Sequence, residues 1–166
     1  MVAGLEIRPL APGEIAAALD ELAALRIAVF RAYPYLYEGS AEYERTYLRA
    51  YAESPEATVV LVRDGDRAVG AATAAPMEDH ADAFAAPLLA AGHRLEEIYY
   101  CGESVLLPDY RGRGIGHVFF DQREARARAL GRRFSAFCAV VRPPDHPARP
   151  LDHRPLDPFW EARGYR

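Results

Sequence analysis

Residues 4–10 alternate, Leu5 and Ile7 against Glu6 and Arg8, which is the period of a strand buried on one face. The period then lengthens. From Pro12-Gly13 to about Phe30, the residues Ile15, Leu19, Leu22, Leu25, Ile27 and Val29 fall near helical spacing, and Pro34 ends the run. The aromatic segment Tyr33-Pro34-Tyr35-Leu36-Tyr37 spans that stop. Ser40 fits a helix N-cap, with Tyr43, Tyr47, Leu48 and Tyr51 along the helix behind it. Residues 57–63 are rich in β-branched side chains, Asp64-Gly65-Asp66 marks a turn, and 68–74 returns as a strand, so this stretch predicts a hairpin. The alanine-rich stretch 80–91 reads as an inserted helix, with Pro87 against it. Residues 97–107 predict a strand ending at Pro108, 115–130 an amphipathic helix stopped by Gly131, and 133–141 another buried strand. Six prolines in 142–158 predict an extended loop, followed by one or two helical turns at 159–163 capped by Gly164.

The order is therefore strand, two helices, hairpin, inserted helix, strand, helix, strand, short helix. A strand–loop–helix–strand unit late in the chain calls for a parallel pair joined by a right-handed crossover, whereas the hairpin calls for antiparallel pairing. The fold class expected is α/β in the mixed α+β sense, built on one mixed sheet.

Composition narrows the class. A chain of 166 residues fits one domain with a sizeable core, and 51% hydrophobic with 27% charged residues is a globular balance. No run of about 18 apolar residues occurs, so no membrane span is expected. The first ten residues carry Glu6 and Arg8 and no apolar signal core, so a cytoplasmic location is expected. Cys101 and Cys138 sit in apolar, strand-like runs and are expected to be buried thiols. The five histidines are dispersed and form no HxxxH pair, so no metal site is expected. A net charge of −4 argues against nucleic acid as a partner. All 20 basic residues are arginine, and between Asp109 and Arg133 seven arginines face three acids. A basic patch on an acidic protein suits a small polyanion.

That patch contains the chemistry-bearing run Glu103-Ser-Val-Leu-Leu-Pro-Asp-Tyr-Arg-Gly-Arg-Gly-Ile-Gly-His117. It sets a strand end, a turn with three glycines and a helix start in succession. Gly112, Gly114 and Gly116 let a ligand approach the main chain, and the first N–H groups of the helix have no intrahelical partners. With the helix dipole, Arg111 and Arg113, this is a site for a pyrophosphate, although a bare GxGxG also serves as a plain strand-to-helix connector. The phosphate loop of nucleotide hydrolases is excluded because it needs a lysine and the chain has none. The dinucleotide fingerprint is excluded because its spacing is GxGxxG after a first strand.

The run Arg111-Gly-Arg-Gly-Ile-Gly116 resembles the R/Q-x-x-G-x-G/A signature of the GCN5-related N-acetyltransferases, the GNAT family. Ser104-Val-Leu-Leu-Pro-Asp-Tyr110 resembles that family's fourth strand and its approach to the loop. Phe159-Trp-Glu-Ala-Arg-Gly-Tyr165 resembles its late Phe-Tyr-x-x-x-Gly-Phe element. The resemblance extends over nearly the whole chain. It implies a mostly antiparallel central sheet with a splayed parallel pair, acetyl-CoA as co-substrate, and transfer of its acetyl group by direct attack of an amine on a small molecule or peptide.

Residue by residue, the resemblance places the pantetheine arm on main-chain groups of Val105, Leu106 and Leu107, and the pyrophosphate on the loop formed by Arg111, Gly112, Arg113, Gly114, Ile115 and Gly116, with His117. Plain core packing is the other reading of Val105–Leu107, and both hold together if the ligand contacts are backbone. Glu103, charged in an otherwise apolar strand, is the candidate base; the alternative is a structural glutamate paired with an arginine. A main-chain N–H near Val105 or Leu106 would hold the oxyanion. Trp160 stands where the family often has an acid tyrosine, so it is read as packing against the coenzyme or the core, and Tyr165 is five residues on. Tyr33, Tyr35 and Tyr37 lie where the family places its acceptor loop, or else form an aromatic loop packed on the sheet. Two other readings stay open: a non-catalytic acyl-CoA sensor, and transfer to oxygen or of longer acyl chains. The family continues with further strands after the Gly-Tyr element, so a further segment or a second copy of the chain, a homodimer, is expected to cover the sheet edge.

Overall fold

A computed structural model of the protein describes residues 4–80 and 84–166. Five strands form one sheet in chain order: β1 (Leu5–Pro9), β2 (Thr58–Asp64), β3 (Arg67–Pro76), β4 (Ile98–Leu106) and β5 (Phe134–Ala136). The first four pair antiparallel and β4 pairs parallel with β5, so the sheet is mixed and mostly antiparallel. Among the described residues the α-helices are α1 (Pro12–Ala17), α2 (Leu19–Phe30), α3 (Ala41–Glu53), α4 (Ala86–Ala90), α5 (Ile115–Ala129) and α6 (Asp157–Ala162).

Strand side chains alternate between two helical layers. Val59 and Leu61 join Ile15, Leu22, Leu25, Leu48 and Tyr51 under α1–α3. Val60 and Val62 join Val69, Ala72, Ile115 and Phe119 under α5. Ser40 caps α3 as expected, accepting a hydrogen bond from the Tyr43 N–H at 3.2 Å. No helix among the described residues is long and apolar enough to cross a membrane.

The structure corrects the pattern reading in four places. The helix expected from Pro12 to Phe30 is interrupted at Ala18, which has φ −91° and ψ 0°. The helix expected over 80–91 is broken: a 3-10 turn at Met77–His80 opens the stretch, residues 81–83 lie outside the described residues, Phe84 is helical, and a break at Ala85 separates it from α4. Pro87 sits in the first turn of α4, where its missing N–H has no helical partner to lose. The strand expected over 133–141 is only Phe134–Ala136, because β4 offers partners only at Ile98–Tyr100. Cys138 therefore lies outside the sheet and is exposed, whereas Cys101 is buried as expected.

A bulge in β4 sets the geometry that matters. Ala72 pairs with Ser104 and Ala74 with Cys101, so Gly102 and Glu103 together oppose Thr73. The extra residue reverses the alternation. Before it, Tyr99 and Cys101 face the layer of α5; beyond it, Glu103 and Val105 face α2 and α3. Among the described residues β4 has no strand partner on its β5 side from Cys101 onward, and the two strands part there.

Candidate active site

The glycine turn joins β4 to α5. Gly112 and Gly114 have φ of +72° and +79°, and Gly114 is the N-cap of α5, so no side chain caps the helix. An uncapped start of a fifteen-residue helix presents unpaired N–H groups and the positive end of its dipole. The arginines brace the turn. Arg111 Nε donates to the Leu106 carbonyl at 3.1 Å, and Arg113 Nη2 donates to the Asp109 carbonyl at 2.8 Å while its guanidinium lies over Tyr110. Tyr110 in turn donates to Asp64, which ties the turn to the β2–β3 hairpin. Both guanidinium groups remain at the surface beside the helix end, where an anionic ligand would meet them.

Val105 is buried in the α1–α3 core, and Leu106 packs on the α5 side. The Leu107 N–H is committed to the Val69 carbonyl at 2.9 Å. His117 pairs its Nδ1 with Arg163 at 3.1 Å and stacks edge-on with Phe159. Trp160 packs on Phe137, at 5.0 Å between ring centroids, in an aromatic group with Phe120, Phe159 and Tyr165 that docks α6 on α5. The Tyr165 hydroxyl donates to Glu124 at 3.1 Å, and burial above all pushes that phenol up.

Glu103 sits at the bulge, 7% exposed. Its Oε2 accepts from Arg26 Nη1 at 2.8 Å and from the Tyr47 hydroxyl at 3.3 Å. Its Oε1 is buried and, among the described residues, has no partner. Burial raises its proton affinity and Arg26 opposes that; burial prevails, so the carboxyl lies above the usual carboxylate range. Arg26 also donates through Nε to Glu44 Oε2, and its guanidinium lies 4.3 Å from the Tyr47 ring centroid and 4.9 Å from that of Phe30. Glu44 is fully buried. Two carboxylates thus share one guanidinium under α2 and α3.

The three loop tyrosines separate. Tyr35 packs on Phe30 and its phenol is pushed up by burial and then by the charge of Glu103. Tyr37 is raised by burial and by Glu44. Tyr33 instead stacks on His153 and His146 of the proline-rich loop. Arg142 fastens the two loops: Nε donates to the Pro34 carbonyl and Nη2 to the Tyr35 carbonyl, each at 2.8 Å.

Arg26, Glu44, Tyr47 and Arg123 escaped the sequence reading. Arg123, 1% exposed, donates to the carbonyls of Phe119, Thr73 and Glu103 and to Ser104 Oγ, and so pins α5 to both sides of the bulge. Helical period held a signal for the charged three. Arg26 lies in register with Leu22 and Phe30, Glu44 with Leu48 and Tyr51, and Arg123 with Phe119 and Ala127. A charge on an apolar stripe must find a buried partner.

The family model of the "Acetyltransferase (GNAT) family" matches residues 22–156. No curated protein matches the chain by sequence. Solved structures of the same fold include an aminoglycoside N-acetyltransferase AAC(6')-Iy in complex with CoA, at 14% identity and TM-score 0.64, covering 98% of this chain and 88% of that one. Another is the aminoglycoside antibiotic 6'-N-acetyltransferase AAC(6')-Ih from Acinetobacter baumannii, at 18% identity and TM-score 0.64, covering 98% and 91%. A third is a ribosomal-protein-alanine N-acetyltransferase from Brucella melitensis biovar Abortus 2308, at 15% and 0.56, covering 96% and 90%.

Proposed function

The chain belongs to the GNAT family of acetyl-CoA-dependent N-acetyltransferases, and on that premise we propose that Glu103 is its general base and that the acceptor is a cationic amine on a small molecule or peptide. One observation carries this reading. Glu103 holds a buried carboxyl with one oxygen free at the place where β4 parts from β5. The uncapped start of α5, with the braced turn 111–116, supports pyrophosphate binding there, and the splayed edge of β4 supports the pantetheine arm. Acetyl-CoA supplies a thioester carbonyl as the electrophile.

An alkyl amine has a pKa of about 10 and arrives as an ammonium ion. Two carboxylates against one guanidinium leave the pocket with a surplus negative charge that attracts it. Glu103 Oε1 takes one proton from the ammonium, the neutral nitrogen adds to the carbonyl carbon to give a tetrahedral oxyanion, and collapse of that intermediate breaks the C–S bond while the nitrogen gives its second proton to solvent. A main-chain N–H near Val105 or Leu106 holds the oxyanion. Trp160 has no acid proton and the Tyr165 hydroxyl is held by Glu124, so the thiolate takes its proton from solvent. Tyr35 and Tyr37 line the acceptor side, while Tyr33 serves it through the proline-rich loop. The named activities of the structural neighbours span small-molecule and protein amines, and the acceptor is sought among both.

The test is thiol release from acetyl-CoA against a panel of aminoglycosides, polyamines and peptides. Glu103→Gln is expected to lower turnover by about 10²–10⁴-fold at neutral pH with coenzyme affinity nearly unchanged. Wild-type turnover in that variant would remove Glu103 from the mechanism.

A further inference from the structure

We propose that Glu44 is a positioning residue for the reaction, acting on Glu103 through Arg26. The inference rests on Glu103 as the base. Glu44 lies on α3, has no exposed surface, and its Oε2 engages Arg26 Nε, not any group facing the gap. Arg26 uses its other edge, Nη1, for Glu103 Oε2. The guanidinium is planar and fixed between the Tyr47 and Phe30 rings, so its two edges cannot turn independently. Glu44 therefore does two things. It fixes the plane of Arg26, so that only one oxygen of Glu103 is bound and Oε1 stays free. It also divides the cation's field between two carboxylates, so Glu103 keeps more proton affinity than a carboxylate paired alone with an arginine.

The groups facing Glu103 leave no substitute for this task. Arg26 comes from α2, Tyr35 from the aromatic loop, and Tyr47 and Tyr51 from α3. Thr73 of β3 donates no charge, and Arg123 of α5 reaches the main-chain carbonyl of Glu103, not its carboxylate. Tyr100 of β4 is a phenol raised by burial. His80 packs against Tyr47, Tyr51 and Tyr100, and burial pushes its imidazole down, which favours the uncharged form.

The experiment is the pH dependence of kcat/KM for acetyl transfer, with folding of each variant checked by thermal melting. In the wild type the acid limb should report Glu103 and vanish in Glu103→Gln. In Glu44→Gln the limb should move to lower pH by about one unit, because Arg26 now gives its full charge to Glu103, and the plateau should fall several-fold because the base is weaker. Glu44→Asp should restore the wild-type limb. Arg26→Gln should move the limb up, and the double variant Arg26→Gln/Glu44→Gln, which removes both members of the buried pair, should match the Arg26→Gln limb. In Arg26→Gln the carboxyls of Glu44 and Glu103 both lose their cation, and in the double variant Glu103 does, so each is compared only with a cooperative melt in hand; the comparison does not depend on Glu44→Gln and stands where that variant is poorly folded. A lower rate with an unmoved limb in Glu44→Gln, or a limb in the double variant different from that of Arg26→Gln, overturns the proposal. Persistence of the limb in Glu103→Gln overturns the base assignment, and the role of Glu44 with it; loss of the limb there with no shift in Glu44→Gln overturns the role of Glu44 alone.

Discussion

Gly102 has no side chain, and the space where one would stand is taken by the hydroxyl of Tyr51. A Cβ built there would lie 2.0 Å from that oxygen and 2.7 Å from Thr73 Oγ1. The backbone of the bulge and Tyr51 of α3 thus meet where a side chain would otherwise stand. Gly102→Ala should destabilise the protein by about 1–3 kcal/mol, the usual cost of overpacking. Adding Tyr51→Phe, which deletes the offending oxygen, should recover part of that loss; denaturant midpoints of the two single variants and the double variant measure it, and strict additivity would refute the steric account. The sequence marked Glu103 because it is a charge in an apolar strand. It did not show that Arg26 and Glu44 meet it, since three residues on three elements are brought together only by how α2 and α3 cross the sheet. The two readings left open for Glu103, base or structural partner of an arginine, are compatible in the geometry: Oε2 is paired with Arg26, and Oε1 has no partner among the described residues.

At the scale of elements, the loop 33–37 and the proline-rich loop are fastened as one unit by Arg142 and by the Tyr33–His153 contact. The unit runs from β5, beside the gap, to Tyr35, beside Glu103. Arg142→Ala removes two charge-assisted hydrogen bonds to backbone carbonyls and should free loop 33–37, proposed to line the acceptor side, without touching the helix start at Gly114. The expected outcome is a rise of about tenfold in the acceptor KM, the effect of a loss near 1.4 kcal/mol, with coenzyme affinity unchanged. An unaltered acceptor KM would show that the fastening does not serve the pocket. Pattern reading placed a strand at each of the five, β1 by alternation, β2 by its β-branched residues and β3 by the turn before it, because these signals are local, and it found α5 and α3 by their period. It overran β5 because the length of an edge strand is set by its neighbour, and β4 turns away after Tyr100. It joined two pieces at 80–91 because alanine-rich composition gives helix propensity throughout, whereas the described residues break at Ala85, which is buried against Met77, Ile98 and Tyr100.

The molecule as a whole is two layers, one on either face of the one sheet. One side carries α5, the arginine-rich turn and α6; the other carries the buried carboxylates under α2 and α3. A coenzyme spanning from the start of α5 to the bulge would tie both sides to the one sheet, so its binding should stabilise the entire fold. Ligand at 100 times its dissociation constant contributes about 2.7 kcal/mol. For a protein of this size that corresponds to a rise in Tm of roughly 5–10 °C. Gly114→Val separates binding from folding. A Cβ at Gly114 meets nothing within 4 Å in the protein itself, so the cost to the free protein is the left-handed backbone at φ +79°. That cost is about 1–2 kcal/mol, enough to lower Tm but not to unfold the chain. The added methyl groups would stand at the uncapped helix start, where the pyrophosphate needs close approach to the backbone. The variant is therefore expected to melt a few degrees lower without coenzyme and to gain nothing when CoA is added. A full CoA-induced shift in Gly114→Val would mean that the phosphates are held elsewhere, and that the turn 111–116 only connects β4 to α5.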